Sequence, residues 1–139
     1  ITDASKKVET LGNFPLPIEV IPFGWQTTKA LVEETLAGLD VLGQTTTLRL
    51  NGEAPFLSDE GNYIVDLHLE RIANPRQLSL VLNQIPGVVE NGLFIDICDV
   101  VVIGHGDGRV EVNDINAGTH EEGRIEFAES DNMFSDLSE

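Results

Sequence analysis

Asp66, His68 and Glu70 alternate along one short stretch, which would set three metal-ligand residue types on one face of a strand. Alternating polar residues are also what any solvated strand face looks like, and that plainer reading is preferred. His105 and His120 are isolated and have no second ligand at a metal-binding spacing. Cys98 lies between Asp96 and Asp99. Carboxylates beside a thiol disfavour the thiolate, so Cys98 is expected to be a small buried apolar residue and not a nucleophile. Gly104-His105-Gly106-Asp107-Gly108 is glycine-rich and follows an apolar run. A phosphate cradle needs a helix start immediately after it, whereas Arg109-Val110-Glu111-Val112 alternates like a strand, so a tight turn is expected here. Ser5-Lys6-Lys7 remains. A lysine near a helix start offers a point charge and backbone donors to an anion. On residue types alone, Lys6 is an ordinary surface lysine.

The charge balance limits what such a lysine can meet. The chain of 139 residues carries 24 acidic and 8 basic side chains, a formal net charge of −16. That surface repels phosphate backbones and anionic membranes, so neither nucleic acid nor membrane is an expected partner. An anionic small molecule would need a local positive spot, because the global field opposes it. The lone Cys98 cannot form an internal disulfide and gives no sign of an oxidising compartment. No apolar run reaches the roughly 18–20 residues of a membrane span. The opening Ile1-Thr2-Asp3 reads like the tail of a strand, so the chain is expected to be a fragment or processed product of something longer.

The elements that would position these residues follow from periodicity. Ser5 is expected to cap a short helix over 6–11, with Gly12 as its stop. Pro15, Pro17 and Pro22 stiffen the next segment and leave room for a strand over 16–21, at an edge or ending in rigid corners. Residues 24–38 read as a helix, with Trp25, Thr28, Val32 and Leu36 on one face and Trp25 as a packing anchor. A Thr-rich strand over 44–50, a turn at Asn51-Gly52 and an alternating strand over 63–69 could pair as a long-looped hairpin. Asn74 and Pro75 open a helix whose apolar stripe is Leu78, Val81, Leu82 and Ile85. Pro86-Gly87 stops it. Residues 88–95 form a further strand, with Gly92 marking a bulge or a close approach. Val100 to Ile103 is an unbroken apolar run that suits a strand buried on both faces. The order strand, helix, strand, strand, helix, strand is the split pattern of a ferredoxin-like βαββαβ sandwich. From about Asn113 the chain is polar and acidic and reads as a flexible tail, with a docked strand or short helix as the alternative.

Four blocks in order carry a family resemblance: Ser5-Lys6 with Gly12 and Phe14-Pro-Leu-Pro-Ile-Glu-Val-Ile-Pro22; Gly61-Asn-Tyr-Ile-Val-Asp66; Ile85-Pro-Gly-Val-Val-Glu-Asn-Gly-Leu-Phe94; and Val100 to Gly104 with Asp107-Gly108. Together they resemble the C-terminal portion of ribose-5-phosphate isomerase A over roughly residues 1–112. The resemblance implies an α/β protein in which a ferredoxin-like domain (16–98) interrupts a Rossmann-like catalytic domain. Residues 1–15 would close that domain, 99–112 would return to its sheet, and 113–139 would be the acidic tail. It implies aldose–ketose isomerisation of ribose 5-phosphate and ribulose 5-phosphate in the non-oxidative pentose phosphate pathway, without a metal or organic cofactor. It further implies a homo-oligomer, dimer or tetramer, in the cytoplasm. Lys6 falls where the family's lysine after Ala-Ser binds the sugar phosphate. The family's Gly-Thr-Gly-Ser-Thr loop, Asp-Gly-Ala-Asp-Glu and Lys-Gly-Gly-Gly motifs and glutamate proton acceptor would all lie N-terminal to Ile1, so the 139 residues alone are expected to be inactive. The alternative is a non-catalytic sugar-phosphate-sensing or assembly module on the same fold, as in effector domains of some bacterial transcription regulators.

Overall fold

A computed structural model describes residues 1–125; the expectations for Phe127, Met133, Phe134, Leu137 and the rest of the acidic tail lie outside the described residues. In chain order the strands are β1 (Thr2–Asp3), β2 (Leu16–Val20), β3 (Thr45–Leu48), β4 (Leu50–Asn51), β5 (Ala54–Pro55), β6 (Tyr63–His68), β7 (Val88–Asn91), β8 (Val100–Gly104), β9 (Arg109–Asp114) and β10 (Thr119–Arg124). A 3-10 turn covers Ala4–Lys6, and the α-helices are α1 (Trp25–Leu36) and α2 (Pro75–Leu82). The described chain forms two compact units: Val8–Ile95, and Ile1–Lys7 together with the described residues from Asp96 onward. Among the described residues no helix is long and apolar enough to cross a membrane.

The unit Val8–Ile95 is the ferredoxin-like sandwich. Its sheet runs β3-β6-β2-β7 with every neighbouring pair antiparallel, the order that the split βαββαβ connection requires. Alternation along β2 points Leu16, Ile18 and Val20 inward, and Val65 and Leu67 do the same on β6. They pack with Val32 and Leu36 of α1 and Leu78 and Leu82 of α2 in one buried cluster. Burying each such side chain contributes roughly 1.5–3 kcal/mol, which makes this cluster the main source of the unit's stability. The capping expectation for α2 holds: the Asn74 side chain accepts the Gln77 N–H at 3.0 Å, and Pro75 occupies the first turn. Trp25 is a packing residue, edge-on to Tyr63 at 6.2 Å between ring centres.

Several expectations are corrected here. Lys6 ends the 3-10 turn, and 7–11 is not helical. Asp3, not Ser5, caps the turn: its carboxylate accepts the Ser5 N–H at 2.9 Å and also the Ser5 hydroxyl. Gly12 is therefore no helix stop. It adopts φ +123° where a Cβ would lie 2.8 Å from the Arg71 backbone, a close approach that only glycine permits. The strand at 88 ends at Asn91. Gly92 then donates its N–H to the Pro17 carbonyl at 2.9 Å, and a Cβ on it would come within 2.8 Å of the Pro17 ring. The loop after β3 is more ordered than its composition suggests. Its β4–β5 pair turns at Gly52, and Glu19 on β2 accepts from Ser58 at 2.6 Å and Asn62 at 2.9 Å.

The second unit is a four-stranded sheet, β1-β8-β9-β10. β1 lies parallel to β8, while β8–β9 and β9–β10 are antiparallel. One expectation fails here. The apolar run of β8 is not buried on both faces: Ile103 is buried but Val100 is 44% exposed. Among the described residues of this unit no α-helix covers the sheet. Over 113–124 the alternative of a docked strand holds in place of a flexible tail: these residues complete β9 and form β10. Backbone pairing from Thr119↔Asp114 to Arg124↔Arg109 supplies the order that composition did not promise. Cys98 is exposed, not buried, and its thiol donates to the Val100 carbonyl at 3.2 Å.

Candidate functional site

The parallel pair β1–β8 aligns Asp3 with Gly104, so both strands release their chain at the same sheet end. The carboxyl ends of parallel strands are where open α/β sheets bind ligands. β1 leads into the Asp3-capped turn that carries Ser5, Lys6 and Lys7. β8 leads into Gly104–Gly108, which is the expected tight turn and not a phosphate cradle, because it runs directly into β9. The Asp107 carboxylate closes this turn by accepting the Arg109 N–H at 3.0 Å, and that hydrogen bond holds its pKa below the usual carboxylate value.

Across the sheet, register places Thr2 beside Ile103, Ile103 beside Glu111, and Glu111 beside Glu122. Glu111 thus takes a central position where an apolar side chain would be ordinary, and it is only 6% exposed. A buried carboxylate must be paired and hydrogen-bonded. Glu111 is paired through both oxygens: Lys7 Nζ donates to Oε2 at 3.1 Å, and His105 Nε2 lies 2.6 Å from Oε1. These contacts, Lys7 first and His105 second, hold the Glu111 carboxyl below its ordinary pKa. Arg109 donates to His105 Nδ1 at 3.2 Å, which requires a lone pair there and places the imidazole proton on Nε2, facing Glu111. His105 is therefore not isolated.

Neither is His120. Its Nδ1 is 2.6 Å from Asn113 Oδ1, and its Nε2 is 3.4 Å from Glu122. Ligand atoms of Glu111, His120 and Glu122 lie within 4.8 Å of one another, so these three could hold a cation. Glu111, however, already has an ammonium at hand in Lys7. The other candidate set resolves into structural pairs. Arg49 grips Asp66 with two bonds of 3.0 and 2.6 Å, and His68 bonds the Thr47 hydroxyl at 2.8 Å.

Lys6 is exposed at the end of its turn. Among the described residues no carboxylate lies within ion-pair distance of it; the turn's own Asp3 acts on it only through the local field. Its neighbour Lys7 is the tethered one. Sequence reasoning passed over Lys7, Glu111 and the pairing of His105. The available signal was the hairpin itself: a tight turn over 104–108 folds Glu111 back beside His105, the first residue after β8.

Residues 1–108 match the family Ribose 5-phosphate isomerase A (phosphoriboisomerase A). A ribose-5-phosphate isomerase A of Ruegeria pomeroyi is 70% identical over 139 residues, covering 100% of this chain and 53% of that protein. The chain thus spans about half the length of the curated relatives it matches. The ribose 5-phosphate isomerase A of Methanocaldococcus jannaschii superposes with a TM-score of 0.68 at 34% identity, over 81% of this chain and 47% of that one. A D-ribose-5-phosphate isomerase solved in complex with phospho-erythronic acid gives 0.67 at 37% identity, over 81% of this chain and 47% of that one. By sequence and by fold, this chain belongs to the ribose 5-phosphate isomerase A family.

Proposed function

We propose that this chain is the closing half of an enzyme that interconverts ribose 5-phosphate and ribulose 5-phosphate, and that Lys6 binds the substrate phosphate. The observation that carries this reading is the state of Lys6: an exposed ammonium with no ion pair among the described residues, at the carboxyl end of a parallel strand pair. With a net charge of −16, the protein needs such a local cation to draw in an anionic sugar. A related isomerase is solved with phospho-erythronic acid, a phosphorylated sugar acid of the chemistry that an exposed lysine accepts.

The reaction moves a proton between adjacent carbons through an enediol, so it needs a base within hydrogen-bond reach of C2. The family's proton-transfer motifs do not occur within these 139 residues. Lys6 would hold the phosphate end and fix the reacting carbons against a base elsewhere in the whole protein. We further propose that the whole protein is a cytoplasmic homo-oligomer that uses no organic cofactor.

The test is Lys6→Gln in the whole protein. We expect KM for ribose 5-phosphate to rise by about tenfold or more, in keeping with loss of a charge-assisted phosphate contact. The 139-residue chain alone should show no turnover. An unchanged KM in the variant, or normal turnover by the chain alone, would overturn the respective proposal.

A further inference from the structure

We propose that Glu111 is a positioning residue for phosphate binding: it tethers Lys7 and so leaves its neighbour Lys6 as the cation presented to the substrate. This inference rests on the reading of Lys6 as the phosphate ligand. Two adjacent lysines at one strand end pose a problem of choice, since either ammonium could meet an anion and each repels the other. The structure resolves it asymmetrically. The 3-10 turn is fixed at its entry by Asp3, which accepts the Ser5 N–H at 2.9 Å. It is fixed at its exit by Lys7, whose ammonium reaches Glu111 at 3.1 Å. Lys6 lies between these two anchors with no ion pair among the described residues.

Glu111 suits this role because its carboxylate is itself held in place. His105 bonds its second oxygen at 2.6 Å, and Arg109 fixes the far side of the His105 ring at 3.2 Å. The facing strand contributes Glu122, directly opposite Glu111 in register; Arg109 lies 3.9 Å from Glu122, and His120 3.4 Å. The group on which Lys7 is moored is therefore rigid and nearly out of solvent. A freely moving surface glutamate would order nothing, whereas a locked one transmits its position to the residue bonded to it.

The sign of the expected effect separates positioning from bulk electrostatics. Removing a negative charge from a strongly acidic protein would, through the long-range field alone, tighten binding of an anion. If Glu111 orders Lys6, Glu111→Gln instead weakens binding. In the whole protein we expect KM for ribose 5-phosphate to rise by about fivefold, with kcat changed by less than about twofold. Glu111→Asp should recover part of the loss, and Lys7→Met should reproduce it. In a Lys6→Gln background the Glu111→Gln change should have no further effect on KM, because the cation it orders is gone. Circular dichroism and thermal melting establish that each variant is folded. A KM that stays level or falls in folded Glu111→Gln overturns the inference, as does an equal rise with and without Lys6. If Lys6→Gln itself leaves KM unchanged, the phosphate-binding reading fails and takes this inference with it. If Lys6→Gln raises KM while Glu111→Gln does not, only the positioning role fails.

Discussion

The two sheets of this chain are built on opposite principles. The sheet β3-β6-β2-β7 turns Leu16, Ile18, Val20, Val65 and Leu67 toward two helices and buries all of them. The sheet β1-β8-β9-β10 has Ile103 as its buried hydrophobic among the described residues, and the residue facing it across the strands is the carboxylate of Glu111. The first sheet gains its stability from apolar area and has no ionisable side chain in its core. The second places a hydrogen-bonded charge where packing would otherwise serve, and it is next to that charge that a free lysine is found. Apolar packing and the buried charge network are thus divided between the units.

The contrast can be broken most directly in the first sheet. Leu82→Ala on α2, at a fully buried site, should lower unfolding free energy by about 2–5 kcal/mol in denaturant titration. Ile103→Ala, truncated in the second sheet, should cost less. Equal losses at the two sites would remove the distinction. A smaller effect is expected at Gly92, where an added Cβ meets the Pro17 ring at 2.8 Å. Gly92→Ala should cost about 1–3 kcal/mol through overpacking, and the apparent melting temperature reads it.

The mildest effect is on pH dependence. Glu111 is held below its ordinary pKa of 4.5 by Lys7 and His105, as Glu33 is by Lys29 and Thr46. A carboxylate with a lowered folded-state pKa stabilises the fold fully above its unfolded value and loses that contribution as pH falls through the folded one. Stability from these groups should therefore be level from neutral pH down to about pH 5 and decline below it. Glu111→Gln should flatten part of that decline. A stability that rises on acidification through this window would show that the carboxylates are not engaged as described.

What the sequence disclosed follows the same division. The helix α2 was legible because Asn74, Pro75, Leu78, Leu82 and Ile85 all carry local signals, and β2 was legible because its prolines exclude a helix. The strand β10 was not. Thr119, His120, Glu121, Glu122, Gly123 and Arg124 are all exposed, so no apolar alternation betrays a strand that is held by backbone pairing and polar side-chain contacts. Lys6 was singled out only through its family block, and its phosphate-binding role is a proposal. The Lys7–Glu111 pair was not, because 104 positions separate its members and neither type is unusual where it stands. Local patterns encode packing that is local in sequence; a charge network assembled by register across strands leaves no periodic trace.

The pairing of β1 with β8 has a kinetic consequence. Thr2 pairs with Ile103, so β1 must find its place across most of the described chain. Closing so long a loop costs conformational freedom before any contact repays it. That closure becomes feasible once Val8–Ile95, with its short-range hairpin and helices, has collapsed and shortened the effective tether. The segment that carries Lys6 should then dock after β2 and β6 have paired, and its amide protons should exchange ahead of those in β2 and β6.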